Sequence, residues 1–376
     1  MPLITDNNKF MKQYVATKKG GPFQLVNVSY PIPEPDEICI RNRAVSLNPL
    51  DSKSLHHGMM VKTWPEVFGI EAAGVVEIVG SNVTRFKAGD AVMASAGLGG
   101  RRGAFQDVTA VPAHMASRKP ASWSFSQACS TPICYLAATA AITKGLNTPL
   151  PHLKQKEDAT KKEDVGTEYL TDRHLRNKSV YGINIPLDIP PPPLDSILVI
   201  GGSSGVGASA IQLLRLALPN ATIISTNSPV HNKRLVALGA KSCVDRNLDA
   251  QKVVSAIKAA SPGGKGVDAI LDAVAGVGRL WDALRSDGPR LYSGVLTGQE
   301  VAVPEGVKGT TNIVAQMMFQ GKEGAGVMGK LADLVDEGSY ELPQEVEVVG
   351  RGLEDVGAGL EKLRKGVSGT KLVVAL

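Results

Sequence analysis

No run of the sequence approaches the ~18 uninterrupted apolar residues that a membrane-spanning helix needs, so no span is expected. Met1 to Lys12 lack an apolar core with a cleavage site, and no secretory signal is read there. Cysteine is scarce. Cys39, Cys129, Cys134 and Cys243 are scattered and form no C-x-x-C pair. That argues against a disulfide framework or structural zinc and for reduced thiols in a cytoplasmic compartment. Charge of one sign is also short: the net +5 is modest for 376 residues, and no basic run carries interleaved aromatics. A nucleic-acid partner is therefore not expected. What remains, 43% hydrophobic and 20% charged, is an ordinary globular composition over a length that favours two domains.

The stretch that organises the rest is Ile197-Leu198-Val199-Ile200-Gly201-Gly202-Ser203-Ser204-Gly205-Val206-Gly207-Ala208 and the amphipathic run after it. An apolar run, a glycine-rich turn and an immediate helical period read as buried parallel strand, tight turn and helix. Amides opening such a helix, with the positive end of its dipole behind them, suit a pyrophosphate. Gly202 and Gly207 fit the first and third glycines of G-x-G-x-x-G, while Ser204 holds the second place. On this reading Gly202, Ser203, Ser204, Gly205 and Val206 contact a dinucleotide; the turn alone is also compatible with a merely structural role.

Before this stretch the chain alternates short apolar segments with glycine and proline. Phe23–Val28, Glu37–Ala44 and Ala91–Ala94 read as strands, and Phe68–Val83 as two strands bent at glycines. Asn48-Pro49-Leu50-Asp51-Ser52-Lys53 leads into a short helix, which Asp51 is placed to cap. Ser126–Leu146 reads as two helices broken at Pro132. Residues 147–195, charged in the middle and closed by Pro190 to Pro193, read as a surface insertion. Afterwards βα units repeat, including a helix at Arg279–Arg285, and imply a parallel sheet with helices on both faces. The last strands, Glu345–Val349 and Lys371–Ala375, resemble barrel material, so the chain is expected to return to its first domain.

NAD-binding domains of this kind usually end the second strand in a carboxylate that holds the ribose hydroxyls. Here that strand ends Ile224-Ser225-Thr226-Asn227-Ser228 with no acid, and His231, Asn232, Lys233 and Arg234 follow. Hydroxyls and bases attract a 2′-phosphate, so NADPH is expected, with Ser228, His231 and Lys233 near it. The competing reading makes Lys233 and Arg234 a solvated helix face.

Gly69-Ile70-Glu71-x-x-Gly74-x5-Gly80-x-x-Val83 has the spacing of the zinc alcohol dehydrogenase signature. The chain thereby resembles the medium-chain dehydrogenase/reductase superfamily, over nearly its whole length outside the insertion. Ile70 stands where that signature has a ligand histidine, and Asn48 where it has a cysteine. Neither is a good zinc ligand, so no metal is expected. Asn48-Pro49-Leu50-Asp51-x-Lys53 is similar to the N-P-x-D-x-K of fungal trans-acting enoyl reductases that serve polyketide synthases, the ToxD-like group.

The resemblance implies an α/β fold: a GroES-like β-barrel catalytic domain (1–137 and 345–376) plus a Rossmann doubly wound parallel sheet (138–344), with the active site between them. It implies reduction of an activated C=C bond by NADPH, on an enoyl thioester, carrier-bound or free, or on an enone. A synthase partner follows from the same likeness, the protein itself being monomer or homodimer. Alternatives are a zinc-independent quinone or carbonyl reductase, or a non-redox NADPH-binding partner of a synthase. Family positions near the nicotinamide match Asn48, Pro49, Lys53 and Thr139, with Leu296, Thr297 and Lys371 as further contacts. Lys53 is the implied donor to the developing enolate, against its reading as a surface lysine; Thr139 is the implied hydroxyl partner, against a bond to its own helix. His56, His57 and Tyr135 read as proton donors or as structural residues.

Overall fold

In the computed structural model, residues 9–153, 193–278, 280–319 and 326–376 are described. The bulk of the expected insertion, 154–192, and Arg279 lie outside them. In chain order the strands and helices of the first part are β1 (Phe10–Ala16), β2 (Phe23–Ser29), β3 (Glu37–Ser46), α1 (Pro49–His57), β4 (Glu66–Val67), β5 (Glu71–Val79), β6 (Ala91–Ser95), β7 (Val108–Pro112), β8 (Ala116–Arg118), α2 (Phe125–Ala128) and α3 (Pro132–Ala140). There follow β9 (Ser196–Ile200), α4 (Gly205–Ala217), β10 (Thr222–Asn227), α5 (Asn232–Ala237), β11 (Ser242–Asp245), α6 (Ala250–Ala260), β12 (Ala269–Asp272), β13 (Leu291–Val295) and β14 (Lys308–Ile313). The chain ends with α7 (Val327–Asp336), β15 (Glu345–Arg351), α8 (Val356–Lys365) and β16 (Thr370–Ala375). Two compact units result: Met1–Ile133 with Leu331–Asp336 and Gln344–Leu376, and Cys134–Lys330 with Glu337–Pro343.

The first unit is built on β3, whose residues are buried along most of its length. It pairs antiparallel with β5 and β7, and β16 joins it from the C-terminus with Val373 opposite Ser46. The seven-stranded sheet runs β15-β16-β3-β5-β6-β8 with β7 beside β3, and a smaller sheet runs β2-β1-β4. Ile38, Ile40, Val45, Phe68, Phe105, Leu372 and Val374 fill the core between them. Within Phe68–Val83 there is a single strand, β5 (Glu71–Val79), rather than two bent at glycines. A Cβ on Gly74 would lie 2.0 Å from the Arg41 carbonyl oxygen, so this glycine permits close approach of β3 instead of a bend.

The second unit carries an all-parallel sheet in the order β11-β10-β9-β12-β13-β14. The order reverses between β9 and β12, which places a topological switch point at the carboxyl end of β9. Leu198, Ile224, Ile270 and Tyr292 are buried in the core on this sheet, and α6 packs Val253 and Ile257, one turn apart, against them. Where a helix is read over Arg279–Arg285, the described residues hold a single 3-10 turn, Leu280–Ala283. The reason is a competing backbone pairing: Val267 N donates to Ala283 O at 2.8 Å and Arg285 N to Val267 O at 3.0 Å. Among the described residues no helix is long and apolar enough to cross a membrane.

Candidate active site

The glycine turn sits at the switch point of the second unit. Gly201 and Gly202 both donate their N–H to Thr226 O at 3.1 Å, which ties the turn to β10. Gly201 is the residue that needs positive φ (+76°); a Cβ there would also meet Val274 at 2.7 Å. A Cβ on Gly202 would fall 1.9 Å from Ser225 Oγ, and one on Gly207 2.3 Å from Gly201 O. These glycines let strand, turn and helix close on one another. Ser204 caps α4, its Oγ accepting the Gly207 N–H at 3.0 Å. Helix geometry leaves the amides of Gly205 and Val206, the first two residues of α4, without intrahelical acceptors. Ser203 is half-buried beside them.

Around this turn stand the ends of the neighbouring strands. β10 closes on neutral groups: Ser225 Oγ donates to Asn227 Oδ1 at 2.8 Å, and Asn227 Nδ2 donates to Ser228 O and Asn232 Oδ1. Ser228 opens the short turn Pro229–His231, and Lys233 lies exposed on α5. Arg234 is not available to a phosphate, since its guanidinium donates to the carbonyls of Leu342 and Pro343. After β13, Leu296 N donates to Ile313 O at 2.9 Å and Thr297 Oγ1 accepts from Gln299 N at 3.3 Å. Thr139, on α3, is fully buried, and its Oγ1 has no hydrogen-bond partner among the described residues. It does not bond its own helix. Beyond it the helix widens into a π-turn, Ala141–Gly145, held to β13 by Ser293 Oγ donating to Ala141 O at 2.9 Å.

Asn48, Pro49 and Lys53 fall together in the first unit, on α1. Asn48 precedes the helix and Pro49 begins it, while Lys53 is half-buried and burial pulls its ammonium below the ordinary lysine value. Asp51 accepts the Asn48 N–H at 2.9 Å and the Gly69 N–H at 3.0 Å. Burial pushes its carboxyl up to about 7, with those two N–H groups and Lys371 opposing the rise. His56 stands 3.2 Å from Glu361, His57 is exposed, and Tyr135 is buried with its hydroxyl on Val327 O (3.2 Å) and His152 Nε2 (3.1 Å). Burial and the nearby Lys330 lower His152 to about 4, so it is neutral.

Sequence reasoning missed the polar cluster beside α1. Glu71, fully buried, accepts Ile133 N–H on Oε1 at 2.6 Å. Its Oε2 takes Asn48 Nδ2 at 2.9 Å, Lys371 Nζ at 2.8 Å and the Ser46 hydroxyl. Lys371 also donates to Asn48 Oδ1 at 2.6 Å and is only 7% exposed. Lys371, expected as a cofactor contact, thus makes two bonds within this cluster. The available signal was a lone acid inside the apolar run Ile70-Glu71-Ala72-Ala73 and a lone base opening Leu372-Val373-Val374.

These residues do not fit zinc. Ile70 offers no donor, the Asn48 oxygen is taken by an ammonium, and both oxygens of Glu71 are saturated by N–H and O–H groups. The glycine turn does fit a dinucleotide: its helix-opening amides have no intrahelical acceptors, it tolerates no Cβ at Gly202, and the same unit holds a hydroxyl at Thr139 with no hydrogen-bond partner among the described residues.

The alcohol dehydrogenase GroES-like domain model matches residues 34–121. Dehydrogenase orsE of Emericella nidulans is 31% identical over 369 residues, which cover 96% of this chain and 97% of that protein. Trans-enoyl reductase tndF of Aspergillus flavipes is 27% identical over 382 residues, 96% of this chain and 98% of that one. An alcohol dehydrogenase superfamily protein from Novosphingobium aromaticivorans shares the fold, with a TM-score of 0.70 at 22% identity over 97% of this chain and 99% of that chain. At 31% identity over nearly the whole length of both chains, the chain belongs to the medium-chain dehydrogenase/reductase family of oxidoreductases.

Proposed function

We propose that the protein uses NADPH to reduce an activated C=C bond, in an enoyl thioester or an enone, without a metal. One observation carries the reading: the locus of the zinc signature is filled by a saturated ion-pair cluster, while the glycine turn opens α4 on amides that lack intrahelical acceptors. Carbonyl activation then falls to hydrogen-bond donors of the chain. The likeness to a protein named trans-enoyl reductase supports an enoyl acceptor, and the neutral end of β10 supports the phosphorylated cofactor.

When bound, NADPH supplies a hydride to the β-carbon of the acceptor. The chain binds and orients. The amides of Gly205 and Val206 receive anionic oxygens, and Ser228, His231 and Lys233 favour a 2′-phosphate that a carboxylate would repel. Leu296 and Thr297 line the edge after β13, and the Thr139 hydroxyl, otherwise unsatisfied, acquires a partner. Lys53 donates to the carbonyl oxygen as negative charge grows there, and a proton from water completes the α-carbon. A carrier-bound thioester would be presented by a synthase.

The test is the initial rate of NADPH or NADH oxidation against a panel of enoyl thioesters, enones and quinones. Reduction of the first two with a clear preference for NADPH is expected. Turnover of quinones alone, or equal rates with the two cofactors, would refute the reading.

A further inference from the structure

The Glu71–Lys371–Asn48 cluster has a feature that stability does not explain. Burying an ion pair costs several kcal/mol of desolvation per ion, and apolar replacements of similar volume are often as stable. A lysine 7% exposed and a glutamate fully buried therefore call for another reason. The contacts supply one. Lys371 Nζ, from β16, meets Asn48 Oδ1 at 2.6 Å and Glu71 Oε2, from β5, at 2.8 Å. Asn48 is the residue before α1, and its backbone N–H is held in turn by Asp51. Asp51 also holds Gly69 N–H, at the entry to β5. The Asn48 side chain is thereby tied to β3, β5 and β16, Asp51 is tied to the residue two before β5, and Lys53 follows one turn later on the same nine-residue helix.

We propose that Lys371 is a positioning residue: its buried ammonium serves as a fixed internal cation at the locus where the zinc signature places a metal, and it sets where α1 holds Lys53. The inference rests on the proposed reading only for the role of Lys53; the anchoring of α1 stands apart from it.

The decisive variant is the double substitution Glu71→Gln with Lys371→Met, because Lys371→Met alone strands a buried carboxylate and invites unfolding. Three measurements on the full chain are needed: amide hydrogen exchange by peptide, NADPH affinity by fluorescence, and kcat with an enone. Expected are about tenfold faster exchange confined to peptides over 48–57 and 69–71, unchanged NADPH affinity, and kcat down by about tenfold or more. Exchange over α1 as slow as in the unaltered protein would overturn the anchoring. Faster exchange spread over all of the first unit would reduce the cluster to a general stabiliser. Local loosening with unchanged kcat would separate α1 from the chemistry and sink the positioning of Lys53. If the unaltered protein reduces no enone or enoyl thioester, the proposed function fails, and the exchange data still decide the anchoring.

Discussion

The Glu71–Lys371 cluster of the first unit and the glycine turn with Thr139 in the second treat their polar groups in opposite ways. In the first, both oxygens of Glu71 are occupied, the Lys371 ammonium has two buried acceptors, and Asp51 takes two backbone N–H groups. In the second, α4 opens on amides without intrahelical acceptors, and the buried Thr139 hydroxyl has no hydrogen-bond partner among the described residues. A buried polar group left unpaired costs about 1–3 kcal/mol, so evolution keeps one only where something else satisfies it. The contrast separates a locus whose polar groups satisfy one another from one whose polar groups leave hydrogen bonds unmade. Saturation, rather than the mere presence of acids and bases, is the criterion that distinguishes them.

The largest test of the contrast falls on Lys53, half-buried on the helix that the sealed region anchors. If it acts on the growing enolate, Lys53→Ala lowers kcat by about ten- to a thousandfold, as lost oxyanion donors do, with NADPH affinity unchanged. Steady-state kinetics beside a fluorescence titration check this. Normal turnover would return Lys53 to the surface-lysine reading and leave catalysis to hydride positioning and solvent protons.

A second test closes the open region. In Gly202→Ala the new Cβ lies 1.9 Å from Ser225 Oγ and 3.0 Å from its Cβ. Overpacking of this kind costs about 1–3 kcal/mol, which corresponds to roughly ten- to a hundredfold in NADPH affinity if the turn takes the strain. Adding Ser225→Ala removes the nearer atom and should recover much of the loss. A double variant as impaired as the single one would show that the turn, not the serine contact, sets the requirement for glycine.

How much of this was legible in the sequence follows from the range of the interactions. The glycine turn, the βα alternation and the absence of an acid after β10 are local, and each was readable. Gly74 was misread because a strand glycine signals either a bend or a close approach, and only the position of Arg41 O decides between them. The helix over Arg279–Arg285 was lost to backbone pairing with Val267, across a gap that periodicity does not see. Arg234 looked like a phosphate ligand until the carbonyls of Leu342 and Pro343 claimed it. Glu71 and Lys371 lie 300 positions apart, and no local pattern joins them.

A pH test probes whether the sealed region carries the electrostatic load that its burial implies. The Asp51 carboxyl is raised from 3.8 to about 7, first by burial. Between those values the folded chain holds a proton that the unfolded chain has released. Its contribution is therefore complete below about pH 4 and is lost as pH rises through 7, with a slope of at most about 1.4 kcal/mol per pH unit. Denaturation midpoints followed from pH 4 to 7 should fall more steeply in the unaltered protein than in Asp51→Asn, whose side chain does not titrate. Parallel slopes would mean that the two N–H groups and Lys371 keep Asp51 ionised throughout.

The smallest effect is the sharpest in sign, and it sits in the open region. Thr139→Val removes the orphaned hydroxyl while keeping the side chain's shape. In a packed core that satisfies all its groups, deleting a hydroxyl destabilises, because its partner is left behind. Here no partner is left, so without cofactor the variant should be as stable as the parent or more so, by about 1 kcal/mol. With NADPH present the sign reverses: the hydroxyl that was a burden becomes a hydrogen bond, and Thr139→Val should bind more weakly by about 0.5–1.5 kcal/mol, roughly two- to tenfold. Thermal melts of both proteins at zero and saturating NADPH measure the two signs in one experiment. A variant destabilised equally in both states would place a hidden partner on Thr139 and move it from the ligand site into the scaffold.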